Sequence, residues 1–271
     1  MIPTHYLRAV QLERAAVPSF EKYPFALPAI RHLDRLECHP AVTYIVGENG
    51  SGKSTLLEAI AAAWGLNPEG GSRNMYFETR PSHSELKQYI HLIKGAGQPA
   101  DSFFLRAESY FNLATEIERR DAEGVGARII DYYGGKSLHE QSHGESFMAL
   151  LFNRLVGEGL YILDEPEAAL SPQRQLSVLT RIHDLVRHNS QFIIATHSPI
   201  LMAYPNATIY NLSAGGIAKI DYYATEHYQV THDFLVNPQR MLDRLLDITP
   251  DSADLPSVKN RRRRARKKTS E

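Results

Sequence analysis

Residues 47–54 read Gly-Glu-Asn-Gly-Ser-Gly-Lys-Ser and meet G-x-x-x-x-G-K-[ST] at every fixed position. An apolar, β-branched run, Thr43 to Val46, precedes them, and after Lys53 the residues Leu56, Leu57, Ile60 and Ala61 recur at helix spacing. Strand, glycine-rich turn and helix in that order make a phosphate cradle. The glycines let the main chain wrap the anion, and the positive helix N-terminus faces it. On that chemistry Gly47, Asn49, Gly50, Ser51, Gly52, Lys53, Ser54 and Thr55 are the candidate nucleotide-binding residues, Lys53 reaches the β and γ phosphates, and the Ser54 hydroxyl holds Mg²⁺. A second Gly-Lys-Ser, at 135–137, has Ile130 where the first glycine is required, so no cradle forms there.

The rest of the chain shows the same alternation. Phe103 to Arg106, Leu160 to Leu163 and Gln191 to Ala195 are short runs of the kind that form buried strands. Phe147, Leu150, Leu151 and Leu155 mark one further helix, and Leu176, Leu179, Ile182 and Leu185 another. Thr208 to Leu212 and Ile217 to Ile220 flank Gly215-Gly216 as a hairpin. This pattern predicts an α/β fold with a mixed sheet core and flanking helices. Turn clusters at Asn67 to Gly71 and Gly95 to Pro99 predict a subdomain between them, beside the main sheet. At 271 residues one large domain is expected over 1–246, with a helical subdomain at about 72–157, a linker at 247–258 and a basic tail at 259–271.

Composition excludes some classes. One cysteine, Cys38, rules out an internal disulfide framework and a multi-cysteine zinc module. No run of about 18 to 20 apolar residues is present, and Met1 to Arg14 lack an apolar signal core, so a cytoplasmic protein is expected. The net charge of −1 hides an asymmetry. Residues 259–271 carry eight Lys/Arg and one Glu, which leaves the body acidic.

Leu160 to Glu165 is a hydrophobic strand ending in two carboxylates. A buried strand there aims Asp164 at the Mg²⁺ shell and leaves Glu165 to orient and polarise an attacking water. His197 comes just after the next apolar strand, where a side chain touches the γ phosphate of a nucleotide held by neighbouring strands. Ser142 with Glu145 three residues on is a capping box at a helix start, a place suited to an anion.

Taken together, Gly47 to Thr55, Ser142-His143-Gly144-Glu145, Leu160 to Pro166, Glu167 to Ser171 and His197 resemble the ABC-type P-loop ATPases, in the branch of RecF, SMC and OLD proteins. The motifs span residues 43–200 in the family's order. The resemblance implies that Ser142, Gly144 and Glu145 form the signature motif, which binds the γ phosphate of ATP held by the opposite subunit, and that Glu167 to Ser171 cross the dimer interface. It also implies a homodimer closing over two ATP·Mg²⁺, with Lys53, Glu165 and His197 as the catalytic set and a separate effector protein. Glu108, after the strand 103–106, stands where the family has a glutamine and is the third candidate Mg²⁺ contact, with Ser54 and Asp164. Arg73 and Arg80 are candidates for a phosphate-contacting arginine. Two features depart from the transporter pattern: Ser171 stands where transporter subunits usually have Asp, and Ser198-Pro199 comes directly after His197.

His139 to His143 also matches H-E-x-x-H, a zinc signature when it lies on a helix. It overlaps the signature motif, and Gly134-Gly135 just before it favour a helix that starts there over one already in progress. Lys259 to Lys268 has almost nothing apolar to bury and suits the phosphates of a nucleic acid without base stacking. The resulting expectation is an ATPase that drives a DNA-associated repair, maintenance or antiphage-defence partner, with no membrane partner. Two alternatives stand beside it: a transporter ATP-binding subunit, and an ATP-binding regulator that does not hydrolyse.

Overall fold

The computed structural model describes residues 5–72, 85–107, 110–124 and 128–247. These form two units, one through Tyr222 and one from Tyr223. In the first, the phosphate-loop strand β3 (Val42–Gly47) lies inside a seven-stranded sheet. Beside it run β8 (Gln191–Ala195), β7 (Gly159–Asp164) and β6 (Asp101–Arg106), all parallel, and the short β4 (Gly71–Ser72) closes that edge antiparallel. On the other side β9 (Ala207–Ser213) pairs parallel with β3 and turns antiparallel into β10 (Gly216–Ile220), the expected hairpin.

Both faces of this sheet are covered, which is why its strands read as unbroken apolar runs. Alternation along each strand still assigns the sides. Val42, Tyr44, Val46, Phe103, Leu105, Tyr161, Leu163, Phe192 and Ile194 enter one core, with residues of α3 (Tyr110–Ala122), α4 (His143–Ala149) and α5 (Pro172–Arg187). Ile45, Phe104, Leu160, Ile162, Ile193 and Ala195 enter the other, with α2 (Lys53–Trp64) and the short α1 (Pro28–Arg31). A second, three-stranded antiparallel sheet, in the order β2 (Arg35–Glu37), β1 (Leu7–Leu12), β5 (Ile90–Lys94), joins that second core.

Two expectations change. The described residues of 72–157 are not all helical: they supply β5 to the small sheet and β6 to the large one as well as α3 and α4. On α5 Ile182 and Leu185 are buried as the spacing predicts and Leu179 packs against the same core, while Leu176 is half exposed and Val178 takes the buried place in that first turn of the stripe. Past Ala149 the helix widens into a π turn, Leu150–Arg154, whose Leu150 and Leu151 are buried. The second unit holds α7 (Glu226–Val236) and α8 (Pro238–Leu245), joined by one residue, Asn237, whose side chain caps α8. The short α6 (Pro199–Met202), in the first unit, is capped by Ser198.

Gln191 ties the two sheets together. Fully buried at the start of β8, it accepts from the N–H groups of Tyr6 (3.0 Å) and Leu7 (2.9 Å) and donates to the carbonyls of Leu7 (2.8 Å) and His39 (2.9 Å). Leucine has the volume but none of these bonds, and a buried backbone group left unpaired costs about 1–3 kcal/mol. Gln191→Leu is therefore expected to lower unfolding stability by about 3 kcal/mol or more in urea titration; a loss below about 1 kcal/mol would show that the side chain does not hold the sheets together.

Candidate active site

Parallel register sets the site. Ala195, the last residue of β8, pairs with Ile45 on one side and Asp164 on the other, so the ends of β3, β8 and β7 reach the same edge of the sheet. Open α/β sheets bind ligands at that edge, beyond the carboxyl ends of their strands.

The loop after β3 turns on glycines. Gly47, Gly50 and Gly52 have φ of +145°, +79° and +100°, backbone that other residues adopt only with strain. At Gly47 a Cβ would also strike the carbonyl oxygen of Leu212 on β9. Gly52 leads directly into α2, whose first residue is Lys53. The Lys53 ammonium is buried and bridges its own loop, donating to the carbonyls of Gly47 (2.8 Å) and Glu48 (2.9 Å). Burial lowers its pKa, and the carboxylates of Glu165, Asp164 and Glu167 oppose that shift. Asn49 and Gly50 are exposed at the loop tip, and Thr55 is half buried one residue into the helix past Ser54.

Ser54 Oγ donates to Asp164 Oδ1 at 3.2 Å, so the two expected Mg²⁺ ligands, 110 residues apart in sequence, meet. Arg106, from the end of β6, pairs with Glu58 at 3.2 Å and lies 3.9 Å from Asp164, a neighbour that sequence patterns did not single out. The cradle fits a nucleotide. Ser51 Oγ is buried in the loop without a hydrogen-bond partner among the described residues, and the loop runs into the N-terminus of α2 at Lys53. Ser54 and Asp164 supply the hydroxyl and carboxylate oxygens that suit Mg²⁺.

Glu165 stands just past β7 with φ +51°, a left-handed conformation uncommon outside glycine. Its N–H bonds the carbonyl of Ala195 at 3.0 Å, and this main-chain bond fixes it beside β8. Its side chain is 40% exposed, open enough to meet water, and Oε1 is 3.6 Å from His197 Nε2. Glu165 and His197, the expected base and γ-phosphate contact, are therefore neighbours.

Ser142, Gly144 and Glu145 form a separate constellation. Ser142 Oγ accepts from the Glu145 N–H (3.3 Å) while Glu145 Oε2 accepts from the Ser142 N–H (3.1 Å), a complete capping box at the start of α4. The charged neighbours of Glu145 are Arg174 and Lys136. The helix begins at His143, so His139 and Glu140 lie in the preceding turn and the H-E-x-x-H residues do not share a helix face. Glu108, Arg73, Arg80 and the run Lys259 to Lys268 lie outside the described residues.

Known proteins similar to this chain in sequence are ATP-binding proteins. An AAA domain model matches residues 24–132, and a second, described as AAA domain, putative AbiEii toxin, Type IV TA system, matches residues 146–203. The hemin import ATP-binding protein HmuV of Rhodopseudomonas palustris is 27% identical over 215 residues, covering 73% of this chain and 80% of that protein. The energy-coupling factor transporter ATP-binding protein EcfA of Methanocaldococcus jannaschii is 24% identical, covering 73% and 75%. A solved structure of cbiO1 from Clostridium perfringens, part of an ABC transporter complex, aligns at a TM-score of 0.49 with 19% identity, over 90% of this chain and all of that one. The fold is α/β, a mixed sheet with flanking helices around a phosphate loop, and these named relatives are import and transporter ATP-binding proteins. They do not single out the RecF, SMC and OLD branch.

Two glycines give a test of the loop geometry. At Gly144 an added Cβ would meet the Arg174 guanidinium and the Ala169 carbonyl, the latter at 2.8 Å, whereas at Gly50 it would meet open space. Gly144→Ala is expected to destabilise by about 1–3 kcal/mol through the clash, and Gly50→Ala by about 1 kcal/mol through its positive φ alone. Thermal unfolding of both variants checks the order, which fails if Gly50→Ala is the more damaging.

Proposed function

We propose that this chain hydrolyses ATP to ADP and phosphate as a nucleotide-dependent dimer, each site made from the phosphate loop of one copy and the signature motif of the other. The observation that carries the reading is the meeting of Ser54 with Asp164 beside Lys53, with Glu165 and His197 at the next strand ends. Lys53 holds phosphate oxygens, and Ser54 and Asp164 hold Mg²⁺, which when bound neutralises charge on those oxygens. Glu165 orients the attacking water and accepts its proton, and His197 contacts the γ phosphate. The trans role of Ser142, Gly144 and Glu145 rests on resemblance, supported by a preformed capping box at the start of α4.

As to what the ATPase drives, the named relatives favour a transporter over a DNA-associated effector. Among the described residues no helix is long and apolar enough to cross a membrane, so on this reading none of their helices forms the translocation path. The DNA-repair or defence setting has two supports, the motif resemblance and the basic run 259–268. Stimulation of turnover by DNA would favour it, and co-purification with a membrane protein would favour the transporter.

Replacing Glu165 by Gln keeps the shape and removes the base. Glu165→Gln is expected to lower kcat by about 10²- to 10⁴-fold while ATP still binds, and its mass in solution should double when ATP and Mg²⁺ are added. Normal turnover by this variant would show that Glu165 is not the base. Lys53→Ala should raise the ATP Kd by about tenfold or more, from the loss of charge-assisted bonds; an unchanged Kd in calorimetric titration would displace the nucleotide from the loop.

A further inference from the structure

We propose that Glu167 is a positioning residue for hydrolysis, its carboxylate clamping the main chain at His197 to the segment just beyond Glu165. This rests on the ATPase reading of the site. Glu167 Oε1 accepts from the backbone N–H of His197 at 2.5 Å, and the carboxylate also takes hydrogen bonds from the buried Thr196 hydroxyl and from its own backbone N–H. Its other oxygen, Oε2, is buried without a hydrogen-bond partner among the described residues. A charged group is costly to bury in this way, and the neighbouring Glu165 adds repulsion, so that burial raises the Glu167 pKa against the pull of its hydrogen bonds. A solvated strand end has no need of such an arrangement. What it secures is the backbone angle from which the His197 ring reaches Glu165.

A second link flanks the first. Ser198 Oγ donates to Gln175 Oε1 at 2.5 Å, and Gln175 Nε2 donates to the Leu170 carbonyl at 3.0 Å. Ser198 Oγ also accepts from the N–H groups of Ile200 and Leu201, which pins the start of α6. His197 is thus held on both sides by side chains from 167–175.

The test combines a nucleotide-free readout with a double-mutant cycle. In the protein without nucleotide, Glu167→Ala should speed amide exchange at His197 about tenfold or more, and Glu167→Gln, whose amide oxygen still accepts that N–H, should stay close to wild type. In turnover, Glu167→Ala should lower kcat about tenfold or more with the KM for ATP nearly unchanged, Glu167→Gln should recover most of the loss, and Glu167→Ala should add little in a His197→Ala background. If Glu167→Ala does not fold, Gln175→Ala in the same cycle decides, with the same non-additivity expected. Losses that multiply in the double variant, a rise in KM with kcat unchanged, or unchanged exchange at His197 would overturn the clamp. A His197→Ala variant as active as wild type would instead overturn the reading of the site, and the clamp with it.

Discussion

The parallel pairing of β3, β8 and β7 is the constraint on which everything else depends. Because Ala195 pairs with both Ile45 and Asp164, the three strands end together, and the residues at and beyond each strand end gather on one edge of the sheet. Those residues are the glycine loop with Lys53, Asp164-Glu165, and Thr196-His197. A slip of one residue in any of these strands would exchange its two faces between the two cores as well as moving its end, so packing and site geometry are specified by the same register. Gln191 begins the middle strand of the three and ties it to β1, which extends this register into the second sheet.

Charge at that edge is arranged with equal economy. Asp164, Glu165 and Glu167 crowd into four residues around the buried Lys53, and burial without partners would be prohibitive for any of them. Each has a different compensation. Asp164 takes the Ser54 hydroxyl and has Arg106 nearby, Glu165 keeps part of its surface in water, and Glu167 takes the His197 main-chain and Thr196 hydroxyl hydrogens. Three carboxylates of one segment thereby acquire three environments, and differing environments are what give like groups different chemical roles.

Much of this was legible in the sequence because the information is local. The loop, the acidic strand end, the capping box at Ser142 and the hairpin at Gly215-Gly216 are each defined within about ten residues by backbone demands of glycine, strand or cap. The three-stranded sheet was not legible, since β1, β2 and β5 come from distant segments and short strands carry weak periodicity. Leu176 misled because α5 presents Val178 to the core instead, a choice made by what the helix packs against. The Glu167 to His197 bond joins residues thirty apart through strands that are neighbours only in space. A third acid close after Asp164-Glu165 was the one signal for it.

On the proposed function neither copy contains a whole site. Lys53→Ala removes the phosphate contact from one half and Ser142→Arg blocks the signature in the other, so each variant alone should be inactive in ATP hydrolysis. Phosphate release from the two variants mixed in equal amounts is the most direct measurement. If sites are shared, mixed dimers contain one intact pair and the mixture regains activity that neither variant has alone. If the mixture stays as inactive as its components while mixed dimers are shown to form, or if Ser142→Arg alone turns over ATP at the wild-type rate, the site is complete within one copy or the signature is only a helix cap, and the shared-site account fails.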